Sequence, residues 1–249
     1  MMPLLGELVM AFQADHPSIT VILEPGNSYQ GMEQVLDGNA DLAALSVAVT
    51  DEFWSAPVAL GTIALVVHPD NTVTNLTLAQ VHDLFSGRVW RWEDLGGKTA
   101  EIVAVSREEG SGTRLAFEAL VMAFAAGLDC QPALTTVEGR TEVRGCEGAA
   151  VTPMAVVMPG SEAVVEYVAA HPGAIGYVGQ AYVSDQVRAV EVEGRSSQVV
   201  DGQVPDYPLV QPLLLAAMEE PSGPARQFVD FCLSPEGQAI VAKKYVPVR

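Results

Sequence analysis

Residues 107–113 read Arg-Glu-Glu-Gly-Ser-Gly-Thr. They lie between a strand-like run at 101–105 and an amphipathic helical run at 115–127. The first N–H groups of a helix have no intrahelical acceptor and carry partial positive charge. Glycine at that place lets a ligand approach the backbone closely. Ser111 and Thr113 add hydroxyl donors, and Arg107 adds a planar fork suited to an oxyanion. The combination reads as an oxyanion cradle; the competing reading is a Ser/Thr helix cap beside a surface arginine. Two more strand ends offer similar groups. Residues 25–32 carry Ser28 before Gly31 at the mouth of a short helix, and Ser46 closes the run 41–46. Ligands of open α/β sheets gather at the carboxyl ends of strands. Ser28, Ser46, Arg107, Ser111, Gly112 and Thr113 therefore form one candidate ligand set, with no residue in a catalytic role.

Other chemistries have weaker support. A nucleophile elbow needs Gly-x-Ser-x-Gly, but Glu109 and Thr113 stand two residues either side of Ser111. Residues 96–99 read Gly-Gly-Lys-Thr, yet Trp92 stands where a phosphate-binding P-loop needs its first glycine. No Cys-x-x-Cys pair or metal-ligand cluster is present, so neither metal nor cofactor is expected. His16 reads as covering a helix end, and the Trp90–Trp92 segment reads as a packed loop rather than a ligand platform.

The elements that must position the six residues alternate between strand and helix, which indicates an α/β fold. Pro3 is placed as the first residue of a helix whose face is Leu5, Leu8, Val9 and Phe12. Strands are expected at 19–25, 41–47, 62–68, 101–106, 174–178 and 207–217. The run 62–68 is apolar on both faces, as in a central parallel strand. Helices are expected at 31–38, ended by Gly38, and at 78–87, capped by Thr77 and stopped by Gly87. Further helices are expected at 162–170, capped by Ser161, at 225–233, and from Ser234 through Lys244. Residues 127–150 and 194–206 read as loops.

Length, composition and charge bound the class. The 249 residues are enough for two modest lobes or one large domain. Hydrophobic residues make up 49% of the chain, so a substantial core forms. No apolar run is long enough to cross a membrane. The formal net charge of -18, with no basic stripe, argues against nucleic acid as a partner. Of three cysteines, Cys232 reads as a buried thiol. Cys130 and Cys146 lie in the loop-like stretch, either bridged in an oxidising compartment or free.

In its motifs and their order the chain resembles the phosphate-binding, periplasmic-type solute-binding proteins of phosphate import systems. The runs 16–47, 76–97, 102–121, 171–179 and 228–248 carry the resemblance, and Arg-x-x-Gly-Ser-Gly-Thr is its most specific part. The resemblance implies a type II periplasmic-binding-protein fold: two α/β lobes joined by crossing strands, with an anion in the cleft. It implies lobe 1 at 1–62 and 210–249, and lobe 2 at 63–209. It carries Ser28, Arg107, Ser111, Gly112 and Thr113 over as ligand contacts. It further implies a monomeric, extracytoplasmic, non-enzymatic protein that serves the membrane permease subunits of an ABC importer. A sensory module of the same fold, acting through a partner protein, is the alternative. The family pattern departs in two places. A Gly/Ser/Thr-containing loop normally precedes the proline equivalent to Pro3, and this sequence carries none. Some members also have an aspartate where this chain has Ser46, which weakens the expected discrimination of phosphate from sulfate.

Overall fold

The computed structural model describes residues 1–249. In chain order its first half contains α1 (Met2–Asp15), α2 (Ser28–Leu36), β1 (Ala43–Leu45), β2 (Ala48–Val49), β3 (Trp54–Val67), β4 (Asn75–Leu76), α3 (Leu78–Phe85), β5 (Val103–Arg107) and α4 (Gly112–Phe117). The second half contains β6 (Ala133–Val137), β7 (Arg140–Arg144), β8 (Val156–Met158), α5 (Ser161–Ala170), β9 (Ala174–Gly179), β10 (Arg188–Val192), β11 (Val210–Ala217), α6 (Gly223–Leu233), α7 (Pro235–Val241) and β12 (Val246–Pro247). The fold is mixed α/β. A nine-stranded sheet runs β1-β11-β3-β9-β5-β8 with β10, β12 and β4 attached, and β2, β6 and β7 form a second sheet.

The long strand β3 organises the molecule. Residues 54–62 pair with β11, and residues 63–67 pair with β9, all antiparallel. Its apolar face switches accordingly. Ala56, Val58 and Ala59 pack with α1 and α6, whereas Ile63, Leu65 and Val67 pack with Phe85, Phe117 and Tyr177. Ala64 and Val66, on the opposite face, pack with Val164, Val165 and Val168 of α5. The two-sided apolar pattern of 62–68 reports burial on both faces rather than strand direction, so the expected parallel setting is corrected to an antiparallel one. Helix ends follow local chemistry. Asn27 and Thr77 each form a reciprocal capping box, with Gln30 and Gln80 respectively. His16 covers the end of α1, with Nδ1 3.0 Å from Phe12 O.

Four other expectations change. Residues 19–25 form no strand. Their side chains alternate inward and outward, and Ile19, Val21 and Leu23 touch the core, but no neighbouring strand supplies a ladder. The helix after Gly112 is α-helical for six residues and continues as a π-turn over Glu118–Ala123. The last helix stops at Val241 rather than Lys244. The expected loop at 127–150 contains the hairpin β6–β7, turned by Glu138 and Gly139, both with positive φ. Two positive-φ residues between β-branched runs make a tight hairpin of the kind that matches strand twist.

That hairpin packs on residues of the expected first lobe. β6 pairs in parallel with β2, and Leu134 is buried with Met32, Val35, Leu45 and Phe53. Glu52 accepts from the Thr136 N–H and hydroxyl, and Glu33 accepts from the Thr141 N–H. The Thr136 hydroxyl is the main cause holding the Glu52 carboxyl below its ordinary pKa.

Cys130 and Cys146 are disulfide-bonded, with Cα atoms 5.8 Å apart, and close a loop around the hairpin. Cys232 is free and buried. Thiol counting in denaturant without reductant is therefore expected to find one thiol; three thiols would contradict the bridge. For a loop of this length, removing the bridge as a Cys130→Ser/Cys146→Ser pair costs about 3 kcal/mol of unfolding free energy.

Candidate functional site

The Arg107 guanidinium stands at the carboxyl end of β5, 8% exposed. Its Nε and Nη2 each donate at 2.8 Å to the two oxygens of Glu108, and its Nη1 donates at 2.8 Å to Ser161 Oγ. Its backbone is held as firmly. The Arg107 N–H donates to Tyr177 OH at 3.4 Å, and its carbonyl accepts from Arg114 Nη1 at 3.1 Å. Arg114 is in turn anchored by Glu118, 2.9 Å away. Burial, opposed by a bond to Ser106, pushes the Tyr177 hydroxyl up to about 12, so it stays protonated at neutral pH. Its ring stacks on Phe117, with centroids 4.0 Å apart. β5 and the turn after it are thus wedged against an aromatic core.

Ser111 follows as the N-cap of α4, and its Oγ accepts from the Arg114 N–H. The N–H groups of Gly112 and Thr113 open the helix and have no intrahelical acceptor. Gly110, at φ +80, makes the turn into it. Its carbonyl accepts from Tyr29 N–H at 3.1 Å, and Asn27 Nδ2 donates to Glu109 O at 3.4 Å. The start of α4 is thereby fastened to the start of α2.

The contact tightens at Gly112. A Cβ built there would collide with Ser28 Oγ and would come 3.0 Å from the Ser46 carbonyl carbon. Ser28 Oγ accepts from the Ser46 N–H at 3.2 Å. The carboxyl end of β1, the start of α2 and the start of α4 therefore meet at one point. All six residues of the candidate set are buried.

The structure also supplies what sequence reading missed. Ser161 was expected as a helix cap, but the N-cap is Gly160, and Ser161 is the first helical residue with no capping bond. Its hydroxyl faces Arg107 instead. The signal was weak because a serine at a helix start reads as a cap by default. Glu108 carries no sequence signal of its own, and only the fold places it on Arg107. The amino-terminal end of α1 lies near Arg107 too. The Trp90–Trp92 loop packs away from this point. Trp92 is buried and donates to Gly173 O at 3.0 Å, while the Arg91 guanidinium lies 5.3 Å from the Trp90 ring centroid.

This arrangement can hold a small oxyanion by backbone N–H groups, hydroxyls and one guanidinium. The family model for a PBP superfamily domain matches residues 1–236. The chain belongs to the PBP superfamily. Within that superfamily it is similar to the phosphate-binding protein PstS of Bacillus subtilis (strain 168), at 27% identity over 258 residues. The alignment covers 100% of this chain and 78% of that protein. Among solved structures it is similar to a phosphate ABC transporter substrate-binding protein from Clostridium perfringens with bound phosphate. That match has a TM-score of 0.83 and 30% identity, covering 99% of this chain and 95% of the other. An ABC-type phosphate transport receptor from Vibrio cholerae shares the fold, with a TM-score of 0.71 at 24% identity over 98% of this chain and 95% of the other. The chain has the two-lobe type II architecture of the PBP superfamily. No helix is long and apolar enough to cross a membrane.

Proposed function

We propose that this chain binds inorganic phosphate in a cleft between two lobes and delivers it to the membrane subunits of an ABC importer. The lobes are taken as 1–62 with 210–249 and 63–209, the hairpin at 133–144 reaching from the second onto the first. The observation that carries the reading is the meeting of the α2 and α4 starts at Gly112, in the turn that follows Arg107. It is supported by the full-length likeness to a substrate-binding protein solved with phosphate. The likeness to an ABC transporter substrate-binding protein favours import over the sensory alternative.

Binding needs no covalent step. The Gly112 and Thr113 N–H groups and the hydroxyls of Ser28, Ser111 and Thr113 supply donors. Arg107 supplies charge, but Glu108 neutralises it, so the pair contributes no net formal charge before the anion arrives. Recognition then rests on local dipoles, which is compatible with a chain of net charge -18. Because the site is buried, exchange of the anion requires the lobes to part. An extracytoplasmic location is part of this reading and is supported by the Cys130–Cys146 bridge, which persists in oxidising compartments. The chain is taken to act as a monomer.

Calorimetry against phosphate, sulfate, molybdate and tungstate tests the proposal. Phosphate at 100 times its Kd should raise unfolding free energy by about 2.7 kcal/mol. No heat and no rise in Tm at millimolar phosphate would overturn it.

Ser46 bears on selectivity. A carboxylate there would accept the proton of monohydrogen phosphate and repel sulfate, which has none to offer. Serine can donate to either anion. Ser46→Asp is therefore expected to raise the phosphate-to-sulfate affinity ratio by about tenfold, a difference of ~1.4 kcal/mol. Competition titrations of both proteins measure it, and an unchanged ratio removes Ser46 as the selecting group.

A further inference from the structure

The hydroxyl of Ser161 is bonded to the one guanidinium of the site, yet it belongs to a helix outside the Gly-Ser-Gly turn. Ser161 is 8% exposed, and its Oγ accepts from Arg107 Nη1 at 2.8 Å. It does not cap α5, whose N-cap is Gly160 and whose first turn has no side-chain cap. The bond is therefore not explained by helix formation. β8 leads directly into this turn and pairs with β5 in register, Arg107 opposite Met158, three residues before Ser161. The sheet itself thus sets the distance between the serine and the arginine.

A guanidinium is planar, so two contacts on different edges define its orientation. Glu108 holds the Nε–Nη2 edge, and Ser161 holds Nη1. These contacts consume three of the five N–H donors and leave one on Nη1 and one on Nη2. With Ser161 on the Nη1 hydrogen of the Cδ side, those two are the parallel pair at the end of the guanidinium that can grip an oxyanion. Glu108 is adjacent in sequence and moves with Arg107. Ser161 is on a separate element and is the reference against which the fork is aimed.

We propose that Ser161 is a positioning residue of the anion site: it accepts from Arg107 Nη1 and fixes the plane of the guanidinium, so that the remaining Nη1 and Nη2 hydrogens face the ligand together. The proposal rests on the oxyanion-binding reading above for its effect on affinity, but the positioning itself is independent of any ligand.

Two measurements separate the two. In ligand-free protein, the ¹H–¹⁵N signal of Arg107 Nε is compared in wild type, Ser161→Ala and Ser161→Thr. The signal is expected to shift and broaden in Ser161→Ala and to return in Ser161→Thr, which keeps the hydroxyl. An unmoved signal in Ser161→Ala would overturn the positioning role. Calorimetry with inorganic phosphate is then run on the same proteins and in an Arg107→Ala background. Ser161→Ala should weaken binding about tenfold in wild type, Ser161→Thr should lie within about threefold of wild type, and Ser161→Ala should change affinity less than twofold once Arg107 is gone. Equal losses in both backgrounds would mean that Ser161 acts without Arg107 and would overturn the proposal. If wild type binds no phosphate while the Nε signal behaves as expected, the phosphate reading fails and the positioning role stands.

Discussion

Gly112→Ala abolishes phosphate binding in calorimetry, with an affinity loss of more than about a hundredfold. The expectation is steric rather than conformational, because Gly112 is not among the glycines with positive φ. Its missing Cβ is the space that Ser28 Oγ and the Ser46 backbone occupy. A methyl group there must push the start of α4 away from α2 and β1. The unpaired N–H groups of Gly112 and Thr113 then move off the anion, and the Ser28–Ser46 bond is strained. Losing two hydrogen bonds to a charged ligand, at about 1.5–3 kcal/mol each, is sufficient for the effect. Overpacking should cost about 1–3 kcal/mol of stability as well. Circular dichroism and a melting curve separate the two results: a folded variant that binds phosphate within fivefold of wild type would remove Gly112 from the site.

Arg107→Ala is the second large effect. Removing the one charged donor should raise Kd by roughly 10- to 150-fold, corresponding to about 1.5–3 kcal/mol. The substitution also leaves Glu108 and Ser161 without their partner, so the Glu108 carboxylate remains beside the anion uncompensated. Arg107→Lys keeps the charge and still loses much of the affinity. An ammonium cannot hold both Glu108 oxygens and Ser161 in one plane while presenting two parallel hydrogens to a ligand. Titration with phosphate across the three proteins gives the order Arg, Lys, Ala. Wild-type affinity in Arg107→Ala would make the residue structural only.

Much of the fold was legible because it is written in local patterns. The apolar face of α1, the cap at Thr77, and glycines stopping α2 and α3 depend on residues close in sequence, whereas α2 starts at Ser28 behind an Asn27 cap rather than at the expected Gly31. Misreadings arose where the decisive partner was remote. The run 19–25 has a strand's composition and alternation, but a strand also needs a neighbour to bond. The direction of β3 could not be read from its residues, since burial on both faces looks the same in parallel and antiparallel sheets. The β6–β7 hairpin did carry a usable sign, a glycine-containing two-residue turn between β-branched runs. It was obscured by the polar residues and cysteines around it.

The candidate site divides in the same way. By itself the sequence determined the type of chemistry. Arg107 followed by Gly-Ser-Gly-Thr at a strand-to-helix junction supplies the donors that the proposed oxyanion site uses, because unpaired N–H groups, small residues and a guanidinium need only local chain geometry. It also placed Ser46 at the end of a strand, whereas Ser28 opens α2 with no strand before it, so the strand end expected there is corrected. Only the tertiary structure decided that these junctions meet at Gly112, that Glu108 and Ser161 hold two edges of the guanidinium, and that Cys130 and Cys146 are bridged. The physical reason is that side-chain identity sets which bonds a group can make, whereas the partner is chosen by sheet register and by the crossing of β3 between the two cores. Those depend on packing summed over the whole chain, which no short stretch of sequence records.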